Sequence, residues 1–176
     1  MLQAMEQADV ILTSGGVSVG EADYTKQVME KLGSVNFWKI AMRPGRPMAF
    51  GRVHNTINGD SAYLFGLPGN PVAVMVTFYA FVRDALFKLA NANTLPIPML
   101  SAKLAQNVRK RPGRTEYQRA RLVMEKGFMV AHLTGAQGSG ILRSMSESDC
   151  LLVLEHEQGD LKAGDTVLAL PFEGLI

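Results

Sequence analysis

The chain has 176 residues, 47% of them hydrophobic and 19% charged, with a formal net charge of +2. This is a folded composition with room for one ordinary domain or two small ones, and it excludes a disordered chain and a strongly basic nucleic-acid binder. The longest uncharged run, Ser61 to Val82, is broken by Gly66, Pro68, Gly69, Asn70 and Pro71, so no continuous membrane-spanning helix is expected.

Residues 2–8 read as the end of an amphipathic helix with Leu2, Met5 and Ala8 facing inward. With Glu6 and no basic cluster there, a secretory signal is not expected, and a cytoplasmic location is the default. Asp9 to Leu12 follows as an apolar strand, then a glycine-rich loop from Thr13 to Tyr24, then a helix from about Thr25 to Leu32 closed by Gly33. Glycines at the carboxyl end of a strand let backbone amides approach an anion such as phosphate, and the next helix start favours it. Glu21 and Asp23 would repel that anion unless a cation stood between, which makes a Mg²⁺-like site at Asp23 the sharper reading. A helix start attracts acidic residues without any metal, so spacing leaves both readings open.

Val35 to Met42 reads as a strand that places Lys39 before Arg43-Pro44-Gly45-Arg46-Pro47. The prolines stiffen this loop, and its arginine forks suit phosphate or other oxyanions. Met48 to Val53 and Ala62 to Leu67 are further strands around a polar turn. Gly66 to Pro71 then forms a third loop, in which Asn70 suits a helix cap and Pro71 a first turn. The helix from Pro71 to about Ala90 is apolar all round at first and is expected in a core or an interface.

A linker with Pro96 and Pro98 occupies residues 94–98, and helical periodicity stops beyond it. Strands are expected at Met99 to Val108, Tyr117 to Glu125, Phe128 to Leu133, Cys150 to His156 and Thr166 to Leu170, a small β-barrel or sandwich. Arg109, Lys110, Arg111, Arg114, Arg119 and Arg121 cluster there, and a solvated hairpin tip is the preferred reading. Cys150, the one cysteine, excludes an internal disulfide and reads as a small buried hydrophobe. Gly138-Ser139-Gly140 is a candidate binding loop with ordinary turn composition, and the scattered histidines suggest no metal motif.

Ser-Gly-Gly-Val-Ser-Val-Gly-Glu-Ala-Asp-Tyr at 14–24, Trp38-Lys39 with Arg-Pro-Gly-Arg-Pro at 43–47, and Phe-Gly-Leu-Pro-Gly-Asn-Pro at 65–71 together resemble the molybdopterin molybdenumtransferases. This is the MoeA family, which includes the gephyrin E domain. The resemblance spans essentially the whole chain. It implies an α/β fold: the later part of a three-layer, MogA-like α/β domain at 1–93, the linker at 94–98, and a C-terminal β-barrel domain at 99–176.

It also implies insertion of molybdate into adenylylated molybdopterin, with a divalent cation such as Mg²⁺ present and AMP released. Asp23 would handle metal or molybdate, with Lys39 and Arg43 as cationic partners in catalysis. Ser14, Gly15, Gly16, Ser18, Glu21, Arg46, Pro68, Gly69 and Asn70 would contact substrate, with Arg114 and Ser139 as weaker carry-overs. Family members often have lysine at positions 43 and 46, so the arginines keep the charge and alter its geometry. An upstream adenylyltransferase partner is implied, the apolar helix at 71–90 fits a homodimer, and charge and composition predict no nucleic-acid or membrane partner. Full-length members carry further domains and an acidic Gly-Asp-Glu-type motif not found in these residues. The chain is therefore expected to be a C-terminal piece that alone binds weakly and does not turn over. A related adenylyltransferase and a non-catalytic peptide-binding scaffold are the rival readings.

Overall fold

The structure is a computed structural model, and it describes residues 2–15, 17, 27–29, 31–55, 59–93, 97–138 and 140–172. Its contacts divide the chain into two compact units. One comprises Met1–Ile40 and Gly45–Val82, the other Ala41–Pro44 and Arg83–Ile176.

The first unit holds a four-stranded sheet in the order β1 (Val10–Ser14), β5 (Ser61–Leu67), β4 (Pro47–His54), β2 (Gly33–Lys39). β1 runs parallel to β5, while β5–β4 and β4–β2 are antiparallel. Strand alternation sends Ile11, Val35, Ala49, Val53, Ala62 and Leu64 to one face. There they form a core with Met5, Val17 and Met29. Complete burial of a side chain such as Leu64 contributes roughly 1.5–3 kcal/mol. The other face carries an aromatic cluster, with the Phe50 ring parallel to Tyr63 at 6.4 Å and tilted against Phe65 at 4.7 Å.

Several sequence expectations are corrected here. Ala8 is exposed and lies beyond the first helix, which ends at Met5. Gly33 is not a helix stop but the first residue of β2, opposite Val53, where a Cβ would overlap the Arg52 carbonyl oxygen. The expected strand from Val35 to Met42 ends at Lys39, and Met42–Arg43 forms a separate short strand, β3. The helix from Pro71 is α-helical to Thr77, π-helical over Phe78–Val82 and α-helical again over Arg83–Leu89. Val72, Ala73, Val76, Thr77 and Val82 are buried along it, whereas Met75, Phe81 and Leu89 are exposed. Among the described residues no helix is long and apolar enough to cross a membrane.

The second unit is a closed five-stranded barrel of β7 (Thr115–Glu125), β8 (Phe128–Leu133), β6 (Leu100–Leu104), β10 (Thr166–Pro171) and β9 (Cys150–Leu154), sealed by β7–β9 pairing. β3 adds to it through a parallel register with β7, Met42 opposite Thr115 and Arg43 opposite Glu116. Alternating positions, among them Ala102, Ala120, Ala131, Leu152 and Ala169, fill the interior. Four alanines share this interior with Leu104, Leu152 and Leu154. Val108, expected at the end of a long strand from Met99, instead makes an isolated bridge to Leu161.

Candidate functional site

In the first unit the strand register brings the sequence-selected loops to one edge of the sheet. Ser14 lies opposite Leu67, Gly66 opposite Ala49, and Lys39 opposite Pro47. The carboxyl ends of β1, β5 and β2 therefore share an edge with the start of β4. In an α/β sheet this is where loops are free to surround a ligand. The Gly15 amide donates to the Leu67 carbonyl at 3.0 Å, and Ile40 N–H donates to the Arg46 carbonyl at 2.8 Å. These bonds hold Ser14, Gly15, Lys39, Arg46, Pro68, Gly69 and Asn70 along one rim. Ser14, Lys39, Arg46 and Gly69 are exposed, and Pro68 is buried.

The backbone at this rim is tight. Gly15 has φ +88°, and a Cβ on Gly69 would stand 3.4 Å from the Gly15 Cα. A Cβ on Gly66 would come within 2.8 Å of Val17 Cγ1 and 3.0 Å of Ala49 Cβ, so the missing side chain lets Val17 pack down on the sheet. Asn70 caps the following helix, its Oδ1 accepting from Val72 N–H at 3.2 Å.

Arg43 behaves differently from its sequence neighbour Arg46, because β3 places it in the barrel unit. There Arg43, Arg109, Lys110, Arg111, Arg114, Pro112, Glu116 and Asp160 line a cavity of about 730 Å³. Glu116 is buried within a cationic ring. Arg114 Nε donates to its Oε1 at 2.8 Å, Gln118 donates to its Oε2 at 3.1 Å, and Arg43 lies 3.9 Å away. Lys110 is buried as well, its Nζ donating to the Gln158 carbonyl at 2.7 Å and its own N–H to Asp160 Oδ1 at 2.8 Å.

The expectation of a solvated hairpin tip is thus corrected for Lys110 and Arg119, although Arg109, Arg111 and Arg121 are exposed. Arg119 is fully buried. Its guanidinium donates to the carbonyls of Ala136, Gln137 and Gly138 and twice to Ser144 Oγ, at 2.9–3.3 Å. Burial first, and the nearby Arg43 charge second, pull its pKa below the ordinary arginine value. A run of basic residues in sequence looks solvated. Strand alternation gives no warning of this burial, since it puts Arg119 on the same face of β7 as the exposed Arg121.

Gly16, Ser18, Glu21, Asp23 and Ser139 lie outside the described residues. Among those described, no grouping of three or more His, Cys, Asp or Glu could hold a metal ion. The rim residues described are hydroxyl, amide and cationic groups with no carboxylate, so a fit to Mg²⁺ rests on Asp23.

A mixed sheet with glycine turns at its carboxyl edge, followed in sequence by a closed barrel with a cationic cavity, defines a two-part α/β and β-barrel chain with anion-facing character. Residues 1–88 match the family described as "Probable molybdopterin binding domain", and residues 101–172 match "MoeA C-terminal region (domain IV)". The chain belongs to the MoeA family. It is 45% identical over 177 residues to the molybdopterin molybdenumtransferase of Haemophilus influenzae, covering 99% of this chain and 42% of that protein. It is 35% identical over 188 residues to gephyrin of Dictyostelium discoideum, covering 97% of this chain and 26% of that protein. A solved molybdopterin biosynthesis MoeA protein from Pyrococcus horikoshii superposes with a TM-score of 0.71 at 28% identity, over 98% of this chain and 39% of that one. The chain thus spans less than half the length of these relatives.

Proposed function

We propose that this chain supplies part of a molybdopterin molybdenumtransferase, which inserts molybdate into adenylylated molybdopterin and releases AMP. In this reading residues 1–93 belong to the catalytic α/β domain, 94–98 to a linker and 99–176 to the barrel domain.

The observation that carries the reading is the cationic cavity of the barrel unit, where Arg43, Arg109, Arg111 and Arg114 outnumber the carboxylates of Glu116 and Asp160. Molybdate is a doubly charged tetrahedral oxyanion, and guanidinium forks supply paired N–H donors to such oxygens. Cleavage of the phosphoanhydride needs positioning and charge neutralisation more than a side-chain nucleophile. Ser14, Gly15, Gly16 and Ser18 receive the pterin phosphate, assisted by Glu21, Pro68, Gly69 and Asn70. Lys39 and Arg46 supply positive charge at the first unit's rim, Arg43 supplies it as a catalytic cation in the barrel unit's cavity, and Arg114 and Ser139 hold oxyanion. Asp23 would hold Mg²⁺, which when bound neutralises phosphate oxygens. A homodimer, a cytoplasmic location and an adenylyltransferase that supplies the substrate complete the reading.

The test is a chimera in which residues 1–176 replace the matching 42% of the Haemophilus relative. Adenylylated molybdopterin and molybdate should give AMP at a rate near that of the parent, while the isolated chain should give none. A folded chimera that releases no AMP overturns the proposal.

A further inference from the structure

Residues 107–113 and 156–163 run antiparallel past one another in the barrel unit. Among the described residues their strand pairing amounts to one bridge, in which Val108 and Leu161 each donate N–H to the other's carbonyl at 2.9 Å. Beyond that bridge a side chain takes the place of ladder bonds. Lys110 Nζ donates to the Gln158 carbonyl at 2.7 Å and to the His156 and Arg111 carbonyls at 3.4 Å. The Lys110 N–H donates in turn to Asp160 Oδ1 at 2.8 Å, and the Gly113 N–H to the His156 carbonyl at 2.9 Å.

Lys110 is 4% exposed, and the partners of its ammonium are carbonyls rather than carboxylates. Burying a charge with no counter-ion is costly, and an apolar side chain of similar size would generally favour the fold more. An ammonium has three donors and no acceptor, so three carbonyls use it up and leave none for a ligand. Its contribution is to fasten two stretches of chain at a set separation.

Both stretches wall the cationic cavity: Arg109, Lys110, Arg111 and Pro112 come from one and Asp160 from the other. Burial alternates along the first, with Val108 and Lys110 inside and Arg109 and Arg111 exposed. Anchoring Lys110 therefore fixes the backbone from which both flanking guanidinium groups extend.

We propose that Lys110 is a positioning residue for oxyanion binding in this cavity, holding the 109–112 and 156–160 stretches together so that Arg109 and Arg111 meet the anion in one arrangement. This deepens the functional reading above and rests on it. Lys110 acts through its two neighbours and not through its own charge.

The test titrates the whole chain with sodium molybdate, following ¹H–¹⁵N shifts and amide exchange, for wild type, Lys110→Met and Gln158→Ala. Lys110→Met should bind molybdate about tenfold more weakly, which corresponds to about 1.4 kcal/mol. Exchange at the amides of residues 110 and 113 should quicken while Ala120, Leu152 and Ala169 stay protected. Raising the ionic strength from about 0.01 M to about 0.15 M shortens the Debye length from about 30 Å to about 8 Å. The ratio of wild-type to Lys110→Met affinity should persist across that range, because a misplaced loop is not mended by salt. Gln158 lies outside the cavity lining, and its Oε1 accepts from the Glu155 N–H at 2.6 Å. Gln158→Ala therefore loosens the second stretch without changing any charge. It should weaken binding about threefold, and it decides the matter alone should Lys110→Met fail to fold. Wild-type affinity in Gln158→Ala, wild-type affinity in a folded Lys110→Met, or a ratio that collapses toward one as salt rises overturns the proposal while leaving the functional reading intact. A wild-type chain that binds no molybdate overturns the functional reading, and this inference with it.

Discussion

Gly15 and Gly69 lie back to back where β1 and β5 end, so close that a Cβ on Gly69 would stand 3.4 Å from the Gly15 Cα. Gly15 alone of the two carries positive φ, so the pair should respond unequally to substitution. Gly15→Ala should cost roughly 1–2 kcal/mol because of the left-handed backbone, and Gly69→Ala less than about 1 kcal/mol. Urea unfolding followed by the fluorescence of Trp38, the chain's single tryptophan, measures both.

Gly51 is less tolerant. A Cβ there would overlap the Ser34 carbonyl oxygen, a backbone atom that cannot rotate away. Gly51→Ala should destabilise the first unit by more than about 3 kcal/mol, at the upper end of single-substitution effects. Loss of the cooperative Trp38 transition at ambient temperature is the expected result.

Glu116 is the buried acid between Arg114 and Arg43. Glu116→Gln keeps its shape and removes its charge, leaving those guanidinium groups unbalanced. Because Arg114 is 39% and Arg43 52% exposed, solvent screens much of the loss, and about 1–2 kcal/mol of stability should go. The cavity becomes more positive by one charge, so molybdate should bind more tightly even as the melting temperature falls. Weaker binding would assign Glu116 a direct part in holding the ligand.

Cys150 is fully buried and donates to the Ala120 carbonyl at 3.4 Å. Burial first, and the Asp149 charge next, push its pKa up to about 12. The native thiol should resist alkylation at pH 8 and react readily once the chain is unfolded. The unfolded thiol ionises near its ordinary value while the folded one keeps its proton. Stability from this group is therefore complete below about pH 8.5 and falls as pH rises toward 12. Cys150→Ala should flatten that decline in a series of denaturation curves.

Much of this architecture was legible in the residues. The barrel strands Phe128–Leu133, Cys150–Leu154 and Thr166–Pro171 follow from short apolar runs and the turn residues that bound them. Asn70-Pro71 announces a capped helix by its own chemistry. Other features carry no local signal. A strand as short as Met42–Arg43 shows no periodicity, and its allegiance is decided by β7, far away in sequence. Gly33 has the composition of a helix stop, yet it is required by the approach of the Arg52 carbonyl, which only tertiary pairing reveals. Arg119 was hidden by its neighbours, since a cluster of cations looks the same on paper whether its members meet water or carbonyl oxygens.

The placement of Ala41–Pro44 in the second unit, inside sequence that otherwise builds the first, bears on how such proteins can be recombined. A gene fragment beginning after residue 98 encodes every closing strand of the barrel but omits Arg43, and with it one of the guanidinium groups beside Glu116. The halves are consequently not interchangeable cassettes. Any exchange between homologues, in the laboratory or over generations, must carry that short tetrapeptide along with the distant partner it serves.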